Sequence, residues 1–432
     1  MPTGKKKRSI WKSKAEYFLF RIVEGAIQLL PPRFADALGV LLGKIAYYLV
    51  PSRRRIVERN FRIAWELQGD ELHHSTKRCM ETCGANLLGG VRCGKMSDAE
   101  IAQCVEIEGA EILQDAAHAG KGAIVALAHM GNWEILARLG PLVIPGNKFG
   151  AYFRPLDNPF MNQLIARRRT RNGMTLFSKE NSFGQAASFL REGGILGILS
   201  DQNAGKAGDY CAFFSRNTSC SPLPALLHRR TESPVFFASL SRISTAKWKI
   251  VIHRHQSQSD TPSIMLGLEN AMRISPVDGF WLQDRWKIVT RWPLLPMSRK
   301  SCFTPATKHG MVYIHLSSNK GICDAAIPAL KGLIQGMPDL LFFTNFPNVL
   351  PEQVHLEKNP ENWDLHHIQP LDVVIWCDEP PNKKPKYPCL AFTGCGSRKI
   401  FTNGLTTPVN LADPESWLLL IKTLGYPPPY SK

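Results

Sequence analysis

With 432 residues, 44% of them hydrophobic, the chain is too long for one average domain and too apolar to be disordered throughout. Its formal net charge of +17 is concentrated at the start, where residues 1–62 contain fourteen Lys and Arg against four Asp and Glu. This basic segment indicates a polyanionic partner, and since no RNA-recognition, KH or zinc-finger pattern is present, we favour an anionic membrane over nucleic acid. Eleven cysteines are scattered without a Cys-x-x-Cys pair, which favours a reducing compartment and provides no structural-metal spacing.

Two apolar stretches in the basic segment flank Pro31-Pro32. Phe18–Leu30 and Ala35–Val50 both contain charged residues, so neither has the roughly 18 uninterrupted apolar residues expected of a spanning helix. We predict amphipathic helices in the membrane interface or a short anchor with snorkelling charges, with an ordinary pair of globular helices as the alternative. Residues 1–62 are therefore predicted to form basic, membrane-associating helices, with Arg53–Arg55 placed to contact lipid phosphates.

Beyond about residue 105 the pattern changes to alternating strands and helices. Short apolar runs bounded by glycine and charge are typical of buried parallel strands. The predicted strands are Ala123–Ala128, Lys148–Phe153, Gly194–Ser200, Pro234–Ser241 and Trp248–His253, and the predicted helices are Trp133–Leu139, Met161–Asn172 and Phe183–Arg191. This alternation predicts an α/β domain over residues 63–298, with a mixed, largely parallel sheet flanked by helices.

The stretch Ala123–Glu134 contains the first candidate for chemistry. It places His129 at the end of a predicted strand and Glu134 in the first turn of the next helix, with Asn132 as a candidate N-cap. Open α/β sheets hold their functional groups at this edge, and a histidine oriented by a carboxylate is the minimum set for a general base. From spacing alone, a core histidine beside a solvated glutamate is an equally acceptable interpretation.

Two more polar groups follow predicted strands. Arg154 is held in an extended conformation by Pro155, and its guanidinium can bind a phosphate or carboxylate through two parallel hydrogen bonds. Asp201 emerges directly from the strand at Gly194–Ser200. Each residue alone is explained by a loop salt bridge or a helix cap, but three polar groups at successive strand ends indicate one pocket.

These motifs resemble the lipid A biosynthesis acyltransferases (lauroyl or myristoyl transferases) of Gram-negative inner membranes, which belong to the glycerolipid acyltransferase group. The resemblance covers about residues 15–290. It is carried by His129-Met-Gly-Asn-Trp-Glu134, Phe153-Arg-Pro155, Asn158-Pro159, Ser200-Asp-Gln-Asn203 and Trp281–Lys287.

The resemblance implies a reaction at the cytoplasmic face of the inner membrane. The acyl donor would be a thioester on acyl carrier protein and the acceptor a hydroxyl of a lipid A precursor, attacked directly without a covalent enzyme intermediate, a cofactor or a metal. The absence of a Gly-x-Ser-x-Gly nucleophile elbow agrees with this. The resemblance assigns His129 as general base, Glu134 as its orienting partner, and Arg154, Asp201, Asn132 and Asn158 as substrate-binding residues.

The chain departs from the family pattern in two places. The family has Trp-x-His-Arg-Arg-Phe-Lys where this chain has Trp281-Leu-Gln283-Asp284-Arg285-Trp286-Lys287, which leaves acceptor recognition open. Residues 299–432 exceed the usual family length, and Gly321–Leu330 with Met337–Phe343 faintly resembles the first half of heptosyltransferase-type glycosyltransferases. We predict a small α/β accessory domain without its own activity, with strands at Gly310–His315, Leu340–Phe343 and Val373–Trp376 and a helix at Ala325–Leu333.

Other functions compete with acyl transfer to lipid A. The chain could acylate another membrane glycolipid or aminolipid, act as a non-catalytic membrane scaffold, or bind nucleic acid through its basic segment. A scaffold has no chemical need for His129, Glu134 and Arg154 together, and nucleic-acid binding rests on the basic segment alone. Acyl transfer is therefore the leading hypothesis.

Overall fold

The computed structural model describes residues 9–286, apart from 66, 68, 179–181, 215, 257 and 258. Beyond residue 310 it describes six strands and the two helical positions Ile327 and Lys331. The chain divides into two compact units, Met1–Gln202 with Ser221–Gln283, and Asn203–Cys220 with Asp284–Lys432. The predicted N-terminal segment 1–62 falls within the first unit, and the predicted boundary after residue 298 lies outside the described residues.

The first unit begins with four helices. They are α1 (Ile10–Leu29), α2 (Pro32–Leu49), α3 (Pro51–Trp65) and α4 (Gly69–Cys93). The two prolines separate α1 from α2 because proline stops a preceding helix and favours the first position of the next. No single described helix is long and apolar enough to cross a membrane; α2 and α3 meet the length and composition requirement only as a pair bent by 96°.

Helices α2 and α4 pack with their backbones in direct contact. A β-carbon at Gly39 would lie 2.6 Å from the Cα atom of Ala85, and one at Gly43 would overlap the carbonyl oxygen of Met80. Only glycine permits such an approach. The contact fixes α2 against the rest of the unit.

Both α1 and α2 also present large apolar side chains to solvent. More than half of the surface of each of these side chains is exposed: Ile10, Trp11, Phe18, Leu19, Ile22, Leu29, Phe34, Tyr48 and Leu49. So many large apolar side chains exposed on two helices are unusual for a soluble monomer, in which exposed apolar residues are mostly scattered singly.

The rest of the first unit alternates strands and helices around a sheet. Its helices are α5 (Asp98–Gln103), α6 (Ala110–His118), α7 (Leu136–Val143), α8 (Pro159–Arg169), α9 (Phe183–Arg191), α10 (Leu223–Thr231) and α11 (Thr261–Arg273). The first nine strands of the chain are β1 (Val105–Glu108), β2 (Ala123–Leu127), β3 (Phe149–Phe153), β4 (Thr175–Ser178), β5 (Ile195–Leu199), β6 (Asp209–Phe213), β7 (Arg216–Cys220), β8 (Val235–Ser244) and β9 (Lys247–Arg254).

Seven of these strands form one sheet in the order β1-β9-β8-β2-β5-β3-β4. Every neighbouring pair is parallel except the β8–β9 hairpin. The predicted mixed, largely parallel α/β sheet is therefore confirmed. The edge strands β1 and β4 were not among the predicted strands, because four residues with charged or polar members give a weak apolar pattern.

The sheet brings three strand ends together. Strand β5 pairs with β2 on one side and with β3 on the other, all parallel, with Leu127 opposite Leu199. Their carboxyl ends therefore share one edge, which carries His129, Asp201 and Arg154 as the sequence predicts.

In the second unit, β6 and β7 form an antiparallel hairpin that surrounds Arg285. This arginine is 1% exposed, donates hydrogen bonds to the Thr218 hydroxyl and the Ser219 carbonyl at 3.0 Å each, and lies over the ring of Phe213. Its burial with carbonyl and hydroxyl acceptors gives Arg285 a structural role in this unit.

The C-terminal strands of the second unit form a six-stranded sheet. They are β10 (Met311–His315), β11 (Leu341–Thr344), β12 (Val354–Leu356), β13 (Val373–Trp376), β14 (Cys389–Thr393) and β15 (Ser397–Phe401). The order is β12-β11-β10-β13-β14-β15, parallel except for β14–β15, which places the first strand centrally as in doubly wound sheets. Three of these strands match the predicted ones. Of the predicted helix Ala325–Leu333 only Ile327 and Lys331 are described, both as helical, and most of the heptosyltransferase-like segments lie outside the described residues.

Candidate active site

The loop that carries His129 is held by the segment 278–280. The Phe280 amide donates to the His129 carbonyl at 2.7 Å, and the Gly131 amide donates to the Asp278 carbonyl at 2.9 Å. Gly131 has a φ of +54°, and a β-carbon there would lie 2.5 Å from the carbonyl oxygen of Leu240. The glycine of the motif is therefore required by both conformation and space, and the loop is rigidly placed.

His129 is hydrogen-bonded to Asp201. The distance from Nδ1 to Oδ1 is 2.7 Å, and Asp201 is 2% exposed. An ionised carboxylate only accepts hydrogen bonds, so Nδ1 carries the proton and Nε2 keeps its lone pair. Burial opposes protonation of the ring, but the charge and hydrogen bond of Asp201 outweigh it and raise the pKa of His129 above its ordinary value. This is the geometry of an oriented general base.

The carboxylate of Asp201 is shared with Gln283. Gln283 donates from Nε2 to Oδ2 of Asp201 at 3.2 Å. The backbone of Gln283 is fixed from α3, where the buried Asn60 donates to the carbonyls of Trp281 and Gln283 at 2.9 Å and 2.7 Å. Gln283, one of the residues at which the chain departs from the family motif, therefore contacts Asp201, the hydrogen-bond partner of His129.

Glu134 does not have the predicted role of orienting His129. It lies in a 3₁₀ turn (Trp133–Ile135) and pairs with Arg169 of α8 through two hydrogen bonds, 3.1 Å from Nε and 2.6 Å from the terminal nitrogen. Asp201, predicted as a substrate-binding residue, takes the orienting position instead. The physical reason is that pairing of β2 with β5 brings Asp201 beside the ring, whereas the turn directs Glu134 toward α8.

The two predicted asparagines form contacts within the protein instead of presenting their amides to a substrate. Asn132 is 1% exposed, and its side chain does not cap the 3₁₀ turn that follows it. It donates from Nδ2 to the sulfur of Cys93 at 3.3 Å. Asn158 caps α8 by accepting from the amides of Phe160 and Met161, and it donates to the Ser13 carbonyl of α1 at 2.9 Å. Both residues stabilise the scaffold around the site.

Arg154 lies at the same sheet edge as the histidine pair and is exposed. It follows β3, next to the strand that carries Asp201. The residue is free of the burial that fixes the two asparagines, so its guanidinium can reach a ligand that approaches the edge from outside.

An apolar cavity lies next to Trp133, a neighbour of His129. Its empty volume is about 1020 Å³, counting the open space at its mouth, and it lies between one face of the sheet and helices α6 and α7. Trp133, whose ring meets the His129 ring edge-on at 5.4 Å between centroids, lines it together with Glu134 and Arg169. Apart from these and Tyr152, the lining residues are glycine or have apolar side chains. The apolar lining suits a hydrocarbon chain.

Sequence reasoning missed Arg169, Gln283 and the cavity as parts of the site. Arg169 belongs to a run of arginines that predicted only a basic helix, and Gln283 stood out only as a departure from a motif. Arg169 pairs with Glu134 and Gln283 pairs with Asp201, and each of these partners is far away in the sequence. Within the described residues, no group of three His, Cys, Asp or Glu side chains is arranged to hold a metal ion.

Comparison with models of protein families identifies a family that matches most of the first unit. A model of the family described as bacterial lipid A biosynthesis acyltransferase matches residues 2–288. The match covers about two thirds of the chain and includes α1–α11 and all strands of the seven-stranded sheet. No curated protein matches the sequence.

Proposed function

The chain belongs to the bacterial lipid A biosynthesis acyltransferases, and from this premise we propose that it transfers a fatty acyl chain from acyl carrier protein to a hydroxyl of a lipid A precursor. The family makes it an acyltransferase of lipid A biosynthesis. The donor, the hydroxyl acceptor and the roles of individual residues are the proposal.

One observation carries the proposal: the ring of His129, which is hydrogen-bonded to Asp201, meets the ring of Trp133, and Trp133 lines the apolar cavity. Nε2 of His129 accepts the proton of the acceptor hydroxyl as its oxygen attacks the thioester carbonyl carbon. Collapse of the tetrahedral intermediate breaks the carbon–sulfur bond, and the imidazolium returns the proton to the leaving thiolate. The products are an ester and the free thiol of the carrier, with Asp201 stabilising the imidazolium in between.

The remaining residues are proposed to bind and orient. The cavity takes the hydrocarbon tail, since burying each CH₂ contributes about 0.8 kcal/mol. Arg154, exposed at the neighbouring strand end, binds a phosphate of the glycolipid, a group that a guanidinium can hold through two hydrogen bonds. Glu134 acts at the cavity mouth through its pair with Arg169 and its charge near His129. These roles need neither a cofactor nor a metal.

We also propose that the enzyme works at the cytoplasmic face of the inner membrane. The exposed apolar side chains of α1 and α2 lie in the same basic segment, so apolar contact and attraction to anionic lipid act together. In this proposal, membrane association depends on apolar contact and on attraction to anionic lipid.

The test is acyl transfer with purified full-length protein, acyl carrier protein loaded with saturated chains of several lengths, and a lipid A precursor, with products identified by mass spectrometry. We expect His129→Ala to lower the rate by about 10²–10⁴-fold or more, the usual contribution of a general base. The matched control is His118→Ala, which removes an exposed histidine at the end of α6. Equal activity of His129→Ala and the wild type would overturn the mechanism.

The same assay separates the competing functions. Transfer to another glycolipid or aminolipid, with none to the lipid A precursor, would support the alternative acceptor. A protein that binds vesicles but transfers no acyl group from any donor would support a membrane scaffold.

A further inference from the structure

The cavity floor contains a glycine where the neighbouring strand positions carry side chains. On β5, alternate residues Ile195, Gly197 and Leu199 face the cavity. In the sheet, Gly197 is in register with Val125 of β2 and Ala151 of β3, which are both small and also line the cavity. The middle of the floor is therefore lower than its two ends.

A side chain at Gly197 would point into the cavity, beside the flexible end of Leu127. A β-carbon built there meets only the end of the Leu127 side chain, at 3.2 Å, and the Gly150 carbonyl oxygen, at 3.8 Å. By contrast, a β-carbon at Gly150, which points to the other face, would lie 2.8 Å from Phe177 and 3.0 Å from Phe189. Gly150 is glycine because its surroundings are packed, whereas Gly197 borders the open cavity and is half-buried in a central strand.

The position of Gly197 relative to the histidine pair gives it a defined depth. His129 and Asp201 each follow, by two residues, the paired leucines Leu127 and Leu199. Along β5, Gly197 is two residues, or about 6.6 Å, further from Asp201 than Leu199 is. Ile195 is another two residues further away. An acyl chain that runs from His129 and Asp201 into the cavity along β5 passes over Gly197.

We propose that Gly197 sets the length of the acyl chain that the enzyme accepts, by leaving the cavity open for a chain that continues past it. This inference rests on the proposed acyl transfer. It concerns the depth of the cavity, and thus selection among donors, and not the chemistry at His129.

The test compares donors of increasing chain length with the wild type, Gly197→Ala and Gly197→Met. A methionine adds four heavy atoms to a close-packed space, so we expect Gly197→Met to prefer chains shorter by about four carbons and to lose at least about tenfold in kcat/KM with the longest donors. Gly197→Ala should shift the profile in the same direction by less, and it keeps the test valid should the methionine variant unfold. Gly184→Met is the control, since it places the same side chain in open space on α9.

The outcomes are distinguishable. An unchanged chain-length profile in folded Gly197→Met and Gly197→Ala, with an active wild type, would overturn this inference alone. A shift produced by Ile252→Phe, on the β9 side of the cavity, but by neither Gly197 variant would overturn it as well, because the chain would then run the other way. A wild type inactive with every donor would overturn the proposed function and this inference with it.

Discussion

Gln283 and His129 bind the two oxygens of one carboxylate. The amide of Gln283 donates to Oδ2 of Asp201 at 3.2 Å, and Nδ1 of His129 donates to Oδ1 at 2.7 Å. The glutamine side chain is uncharged at every pH, so it holds the Asp201 carboxylate by a hydrogen bond and adds no second positive charge beside it. In the related motif this position is a histidine, which would add a second titrating group beside Asp201.

Gln283 should therefore act as a positioning residue. Replacing it with leucine, Gln283→Leu, leaves Oδ2 of Asp201 without this donor, and a hydrogen bond to a charged group contributes about 1.5–3 kcal/mol. We expect kcat to fall by roughly tenfold or more, with a smaller change in KM. Gln283→His restores a donor and should recover much of the loss, whereas equal activity of Gln283→Leu and the wild type would show that the contact does not matter.

Asp201 should control the pH dependence of the reaction. Its carboxylate raises the pKa of His129 against the opposing effect of burial, and a general base must be neutral to accept a proton. In Asp201→Asn the pKa of His129 falls, so the acidic limb of the kcat/KM profile should move to lower pH. The rate should also drop by about 10²–10⁴-fold because the imidazolium loses its partner. An acidic limb that stays in place would contradict the assignment of Asp201.

Glu134 and Arg169 should move the same limb in opposite directions. The charge of Glu134 raises the pKa of His129 and that of Arg169 lowers it. We therefore expect Glu134→Gln to shift the acidic limb to lower pH and Arg169→Gln to shift it to higher pH, each by less than Asp201→Asn. Measured kcat/KM profiles for both variants would check this, and shifts of the same sign would disprove it.

The contact between α2 and α4 should be sensitive to a single methyl group. A β-carbon at Gly43 overlaps the backbone at Met80, which cannot yield as a flexible side chain would. We expect Gly43→Ala to lower the free energy of unfolding by about 3 kcal/mol, the upper end for overpacking. Gly25→Ala in α1, where a β-carbon meets open space, should raise it by about 0.5–1 kcal/mol, because alanine is a better helix former. Denaturant unfolding of both variants measures the difference.

The exposed face of α1 should bind membranes. Trp11 and Phe18 are 80% and 67% exposed, and burying a large apolar side chain contributes about 1.5–3 kcal/mol. We expect the double variant Trp11→Ser, Phe18→Ser to bind anionic vesicles at least about tenfold more weakly in a sedimentation assay. Leu266→Ser removes another exposed apolar side chain, 58% accessible on α11, and should bind as the wild type does. Equal loss in both would refute a specific membrane face.

Local sequence was sufficient for the elements that form the edge of the sheet. Apolar runs predicted β2, β3 and β5, and polar residues directly after them predicted that His129, Arg154 and Asp201 share an edge. The reason is that strand period, turn residues and the parallel α/β rhythm are all encoded over short distances. The resemblance to the acyltransferase family was carried by the same short motifs, and the family match confirms it.

Only the tertiary structure decided which side chains meet. Glu134 is five residues from His129 but pairs with Arg169, whereas Asp201, 72 residues away, holds the ring. The predicted ligands Asn132 and Asn158 proved to be buried in scaffold contacts, and Gln283, which stood out only as a departure from a motif, reaches the carboxylate. Sequence spacing fixes where a residue leaves a strand or enters a turn, but the direction of its side chain depends on which distant element packs beside it.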